Sequence, residues 1–309
     1  VSIFLSEEQS ALLENAAESV LQPSGEALRI LREKTAAELV EKWGMTLRAV
    51  HEAAMHLGIY PARYTRNRGS ISLEEQIGLS HAQVSVIGAG GLGGTVIELL
   101  ARLGVGRIVV ADHDRFDETN LNRQALSRAG NLGAFKAEEA VRAVQSINPA
   151  VEVIARTTRL TSTNAEEFLT GSLTAVDALD NIPDRFLLES AARRLGIPLV
   201  HAALAGFEGQ LMTIFPEDRG LELLYGKPPA GRTRSAAPEA VLGVPTPTPA
   251  LLATLQTMEV LKILTGRGRP IRNAMLHVDL GTGSFDTFSF DPSPRQERGG
   301  RTSGQAAEQ

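Results

Sequence analysis

The sequence contains no cysteine. That excludes structural disulfides, thiolate-bound zinc and a cysteine nucleophile, and leaves the compartment undecided. No stretch is apolar for long enough to cross a bilayer. Residues Val1 to Ser10 lack the basic segment followed by an apolar one that marks a signal peptide, so a cytoplasmic protein is the expectation. An excess of positive charge is missing too. The 31 Lys and Arg against 36 Asp and Glu leave a net charge of -5, so no global field draws the chain to nucleic acid or an anionic membrane. What is present, 43% hydrophobic and 22% charged residues over 309 positions, is ordinary globular composition with room for one large domain and an appendage.

Residues 6 to about 58 read as helical. Ser6 with Gln9 three positions on is a capping-box pattern, and Leu12, Leu13, Ala16, Ala17 and Val20 recur at helical spacing. A second helix is expected over Glu26 to Trp43, and a third from after Thr46 to Gly58, a residue suited to a left-handed cap. Leu39 to Ile59, with Gly44 in the turn, faintly resembles a helix-turn-helix. The plainer reading is a helical arm packed on the body or on a second subunit.

From Val84 the pattern changes to strand–helix alternation. Strands are expected at Val84–Ile87, Arg107–Ala111, Val151–Arg156, Thr174–Ala178 and Pro198–Ala202. Helices are expected at Thr95–Leu103, Lys136–Ile147, Asn164–Leu169 and Arg185–Leu195. This predicts an α/β, Rossmann-like fold: a mostly parallel sheet with helices on both faces and a ligand crevice at the carboxyl ends of its strands. Strands at Gly209–Phe215, Ala274–Asp279 and Ser284–Phe290 and a helix at Leu251–Leu264 continue it. Gly226 to Pro249, rich in proline and glycine, reads as a loop, and the polar tail from Asp291 as disordered.

Three signals carry chemistry. Gly88-Ala-Gly90-Gly91-Leu-Gly93 lies between a strand and a helix, where glycines let the backbone approach a nucleotide and the helix N-terminus offers N–H groups to phosphate. Asp112 ends the next strand, placed to accept from ribose hydroxyls. Asn120-Leu-Asn-Arg123-Gln124 and Lys136 then add two cations near the first crevice. An NAD enzyme needs no such pair. A triphosphate attacked at its α-phosphorus does. Finally, Asp177-Ala-Leu-Asp180-Asn181 closes a buried strand, where Asp180 is either a magnesium ligand or a helix N-cap. His113 has no metal-ligand spacing around it. His201 reads as a satisfied histidine near the crevice, and His51 and His56 as surface residues.

Taken together, Val86-Ile-Gly-Ala-Gly-Gly-Leu-Gly93, Asp112 with Asp114, Asn120-Leu-Asn-Arg-Gln124, Lys136, Asp180-Asn181, Phe207-Glu-Gly-Gln210, Arg63-Tyr-Thr-Arg66 and Thr248-Pro to Lys262-Ile-Leu resemble the HesA/MoeB/ThiF family. These are bacterial relatives of ubiquitin-activating enzymes, and the resemblance runs from about Arg63 to Phe290. It implies three segments: a helical extension over 1–62, an adenylation domain over 63–290 and a tail over 291–309. It further implies ATP-dependent adenylation of the C-terminal Gly-Gly carboxylate of a small ubiquitin-like sulfur carrier, for thiamine, molybdopterin or tungstopterin-type cofactor synthesis. Gly88, Gly90, Gly91, Gly93, Asp112, Asp114 and Asn181 would form the nucleotide site, with Asp112 on the ribose. Asn120, Arg123 and Lys136 would line the phosphates, Asp180 would hold Mg²⁺, and Arg66 would reach into the neighbouring subunit of a homodimer. The Gly226–Pro249 loop would clamp the carrier's tail.

Two departures follow from the missing cysteines. Many relatives bind zinc through two Cys-x-x-Cys pairs. Here the first region reads Leu223-Leu-Tyr225-Gly and the late pair is missing as well, so no zinc is expected. Relatives that form a persulfide or thioester place a cysteine near Ala236, so this chain is expected to stop at the adenylate and leave sulfuration to a separate donor. The competing readings are adenylation of a carboxylate on modified tRNA, an NAD-dependent oxidoreductase, and a nucleotide-bound scaffold or DNA-binding regulator.

Overall fold

The computed structural model describes residues 5–22, 25–228 and 241–290. The expectations for Ala236, for the middle of the Gly226–Pro249 stretch and for the tail from Asp291 lie outside them.

An eight-stranded sheet organises the chain. It comprises β4 (Gln83–Ile87), β5 (Arg107–Ala111), β6 (Glu152–Arg156), β7 (Thr174–Asp177), β8 (Leu199–Ala205), β9 (Glu208–Ile214), β10 (Ala274–Asp279) and β11 (Ser284–Ser289), in the order β11-β10-β9-β8-β7-β4-β5-β6. Strands β4 to β8 pair in parallel and β8 to β11 antiparallel. Strands buried on both faces need near-continuous apolar runs. Val84, Val86, Ile108, Val110, Val176 and Val200 supply them, all with no exposed surface, each stabilising the fold by roughly 1.5–3 kcal/mol.

One face is covered by α5 (Gly91–Leu103) and the long late helix α10 (Pro247–Thr265), with α6 (Lys136–Ile147) beside α5. The other carries α7 (Ala165–Leu169), α8 (Ile182–Leu195) and the one-turn α9 (Glu222–Tyr225). The late helix starts earlier than expected because Pro247 and Pro249 fall in its first turn, where a missing N–H costs nothing. Register sets Ile87 level with Asp177, and Asp177 level with His201. The carboxyl ends of the three central strands therefore meet.

The N-terminal extension differs from the all-helical expectation. Helix α1 (Glu7–Ala16) has the expected Ser6–Gln9 capping box but stops before Val20. Glu18–Leu21 (β1) and Ala27–Leu31 (β2) then form an antiparallel hairpin, extended by β3 (Tyr60–Pro61) in parallel to β2. The physical reason lies in the sequence. Leu28 and Ile30 are buried while Ala27 and Arg29 are exposed, a period of two. Gly25, at φ 84°, makes the turn, with Gln22 N–H donating to Glu26 C=O at 2.8 Å. Helix therefore begins only at Glu33, as α2 (Glu33–Trp43), followed by α3 (Leu47–His56) behind the Thr46 cap.

The extension has its own core, which includes Leu13, Leu31, Leu39 and Val50. Arg63 rivets it to the sheet domain, donating to Glu33 at 2.6 and 3.0 Å and to the Ile147 carbonyl at 3.0 Å. Helix α4 (Leu73–His81), which the apolar spacing did not reveal, starts at a Ser72–Glu75 capping box and packs on α3. Helix α3 is thus sandwiched. His51, expected at the surface, is 2% exposed, whereas His56 is half exposed. Among the described residues no helix is long and apolar enough to cross a membrane.

Candidate functional site

The crevice floor is backbone. Gly88 follows β4 at φ 100°, and a Cβ there would lie 2.4 Å from the Ala178 carbonyl oxygen. A Cβ on Gly93 would lie 1.8 Å from the Gly88 carbonyl oxygen. Only glycine permits either approach, so the loop is pressed onto the end of β7 and against α5. Gly90 is the N-cap of α5 and provides no side-chain acceptor. The leading N–H groups of a 13-residue helix are thereby left to an anion.

Asp112, just past β5, accepts from Ala89 N–H at 2.7 Å and from Asp114 N–H at 2.8 Å. Each carboxylate oxygen retains lone-pair capacity for a hydroxyl. Burial pushes its pKa up, against the pull of the Ala89 N–H and of Lys136. Lys136 opens α6, is 6% exposed, and sets its ammonium 3.2 Å from Asp114 Oδ2. Asp112, His113 and Asp114 do bring ligand atoms within 4.8 Å of one another. The chain doubles back there through the Asp114–Asp112 bond, which corrects the reading that His113 has no metal-ligand neighbours.

Asn120 is buried and accepts from Asp117 N–H at 3.1 Å, holding the single turn Glu118–Asn120. Arg123, partly exposed, donates to the Thr119 carbonyl at 2.8 Å and to Asn122 Oδ1 at 2.9 Å. Its own carbonyl oxygen would lie 3.6 Å from a Cβ on Gly91, so the 120–124 turn flanks the glycine loop. Gln124 is buried against Gly90, and its Oε1 has no hydrogen-bond partner among the described residues. A buried acceptor left unmatched beside the loop is the kind of group a ligand N–H or hydroxyl satisfies.

The second possibility for Asp180 is resolved against capping. Asn181 is the N-cap of α8, accepting from Asp184 N–H at 3.0 Å. Asp180 is exposed, and among the described residues its one side-chain hydrogen bond is from Asn181 Nδ2 at 3.3 Å. Its carboxylate is therefore open to a cation. Arg66 is exposed after the turn Ala62–Tyr64 and has no hydrogen bond or ion pair to a described residue. The single chain thus brings together Gly88, Gly90, Gly91, Gly93, Asp112, Asp114, Asn120, Arg123 and Lys136. Asp180 stands two residues from the Ala178 contact, and Arg66 is not joined to the rest.

Reading from sequence missed two things. Gln124 was part of a motif without a role of its own. The Asp177–His201–Tyr225 cluster behind β7 had no local signal beyond His201, which is satisfied as expected.

Comparison with known proteins shows what the chain resembles. The model described as the ThiF family matches residues 64–299. The SAMP-activating enzyme E1 of Haloferax volcanii is 36% identical over 235 residues, 75% of this chain and 86% of that protein. The sulfur carrier protein adenylyltransferase of Thermus thermophilus is 39% identical over 229 residues, 72% and 83% of the two. Among solved structures, PaaA superposes with a TM-score of 0.63 at 18% identity, over 89% of this chain and 99% of that one, a likeness of fold.

Proposed function

The chain belongs to the ThiF family, and from that premise we propose that it adenylates the terminal carboxylate of a small ubiquitin-like sulfur carrier ending in Gly-Gly. It is an adenylyltransferase without a catalytic cysteine, which displaces the oxidoreductase reading.

In this reading a carboxylate oxygen of the carrier attacks the α-phosphorus of ATP. A C(O)O–P bond forms, the bond to the bridging oxygen of the β-phosphate breaks, and pyrophosphate leaves with that electron pair. No proton need move to or from the attacking group, so the protein's task is positioning and charge neutralisation. The glycine loop and the α5 N-terminus cradle phosphate. Asp112 accepts from the ribose hydroxyls with the lone pairs its two backbone bonds leave over. Lys136 and Arg123 oppose the charge that builds on the phosphates, the first as a point charge and the second as a fork. Asn120 keeps the turn that presents Arg123.

The residues present fit a nucleotide. The glycine cradle has no room for a Cβ at Gly88 or Gly93, and Gln124 Oε1 is a buried acceptor lacking a partner among the described residues. They also fit a divalent cation, because the Asp180 carboxylate is exposed and free of a capping duty. When bound, Mg²⁺ supplies charge neutralisation at the phosphates. Arg66, lacking a hydrogen bond or ion pair among the described residues, is suited to a partner subunit's site, and the sulfur donor is a separate protein. Cofactor synthesis of the thiamine, molybdopterin or tungstopterin type in the cytoplasm is the setting this implies.

The observation that carries the reading is Lys136, a buried ammonium held at the rim of the glycine crevice by one half-exposed carboxylate. Isotope exchange between pyrophosphate and ATP tests it. Exchange should require both Mg²⁺ and a carrier ending in Gly-Gly. Exchange driven by tRNA alone would select the rival substrate.

A further inference from the structure

Behind the crevice, on the face of the sheet covered by α8 and α9, lies a buried polar relay that the proposed chemistry does not use. Asp177 and His201 are cross-strand neighbours, neither with any exposed surface. His201 Nδ1 is 2.7 Å from Asp177 Oδ2. An ionised carboxylate only accepts, so Nδ1 carries the hydrogen. His201 Nε2 lies 3.1 Å from the Tyr225 hydroxyl. That hydroxyl also receives Arg185 Nη1 at 2.8 Å and Gln210 Nε2 at 2.8 Å, two groups that can only donate. Tyr225 must therefore give its own hydrogen to Nε2, which assigns a neutral ring with Nδ1 protonated. Burial, which lowers the His201 pKa, favours the same state.

The relay ends on one residue. Asp177 Oδ1 accepts from Leu179 N–H at 3.0 Å, and Arg185 Nη2 donates to the Leu179 carbonyl at 2.7 Å. The peptide groups on both sides of Leu179 are thus pinned by two side chains, one held by His201 and the other by Tyr225. The next residue is Asp180. Among the described residues its side chain has only the 3.3 Å contact to Asn181, so the backbone, which fixes the Cα–Cβ bond, decides the space the carboxylate can reach.

We propose that Tyr225 is a positioning residue for the cation site: through His201 and Asp177 on one side and Arg185 on the other, it locks the Leu179 peptide and so aims Asp180 at the phosphates. This rests on the adenylation reading. The chemistry it serves is a divalent cation carried with a nucleoside triphosphate. Groups that orient a metal ligand without touching the metal typically matter about 10- to 100-fold in affinity or activity.

The test is Tyr225→Phe in the full chain, which removes one oxygen and keeps the ring. The Mg²⁺ concentration at half-maximal exchange should rise about 10-fold, with exchange largely restored at saturating Mg²⁺. Amide hydrogen exchange at residues 178–181 should quicken. Placed on Asp180→Asn, the same change should not move the Mg²⁺ half-point for ATP binding any further. His201→Gln, which cuts the Asp177 arm of the relay between Tyr225 and Asp177, should move the Mg²⁺ half-point the same way and guards against a misfolded Tyr225 variant. A half-point unmoved in both variants overturns the inference, as does a loss of melting temperature alone. If the unaltered protein binds ATP with Mg²⁺ but exchanges no pyrophosphate with any carrier, the adenylation reading falls. The inference is then decided on the Mg²⁺ half-point for ATP binding.

Discussion

Replacing Lys136 by methionine separates catalysis from stability. The methionine keeps an unbranched stem in the buried position and deletes the charge. The lost partner is Asp114, whose side chain is 53% exposed. Solvent screens that pair and takes over the carboxylate, so the structural cost is about 0–1 kcal/mol. For a protein of this size that moves the melting temperature by roughly 2–4 °C at most. The functional cost is larger, because the ammonium is desolvated and fixed before the reaction begins. Deleting one preorganised donor of this kind costs about 2.7–4 kcal/mol, or roughly 100- to 1,000-fold in rate. Lys136 is also one of the charges opposing the effect of burial on Asp112. Its loss lets the Asp112 pKa rise further, so the acid limb of activity should move to higher pH. Pyrophosphate exchange across a pH series, with thermal melting alongside, measures both. Exchange within about threefold of the unaltered protein would refute the assignment of Lys136 to the phosphates.

Other expectations follow from single residues. Gly93→Ala places a methyl against the Gly88 carbonyl, so nucleotide binding measured by calorimetry should be lost; unaltered affinity would contradict the cradle. Arg66→Ala and Asp180→Ala proteins, each inactive alone, should regain exchange when mixed, since a mixed dimer holds one site with neither change; no recovery would count against Arg66 acting across subunits. Burial, with Arg63 assisting against Glu33, lowers the His51 pKa from 6.5 to about 4. The folded protein keeps this ring neutral while the unfolded chain protonates it below pH 6.5. The contribution is therefore complete above pH 6.5 and is lost as pH falls towards 4, a change of about 3 kcal/mol. Urea unfolding at pH 7 and pH 4.5 should show a smaller drop in His51→Gln; equal drops would show that His51 is not the group responsible.

The sheet was legible because its strands are apolar on both faces and its helices follow at short range. Val84–Ile87, Arg107–Ala111 and the Lys136 helix appear where the pattern placed them. The glycine loop was legible for a related reason, since a backbone that must touch another backbone admits one residue type. The extension was misread at residues 18–31. Apolar residues at helical spacing run on as far as Val20, and the alternation at Leu28 and Ile30 is only one strand long. His51 was misplaced because a helix packed on two sides buries residues that a one-faced pattern leaves outside. The relay behind Asp180 could not be read at all. Asp177, Arg185, His201 and Tyr225 are scattered over 49 positions of sequence and meet only through the register of β7 with β8 and the return of the chain through α9.

The most direct test of the central claim is a crystal structure with a non-hydrolysable ATP analogue and Mg²⁺. The account predicts phosphates on the Gly88–Gly93 loop, Lys136 and Arg123 turned onto them, and the cation on Asp180. An analogue bound elsewhere, or those three side chains pointing away from it, would contradict the account.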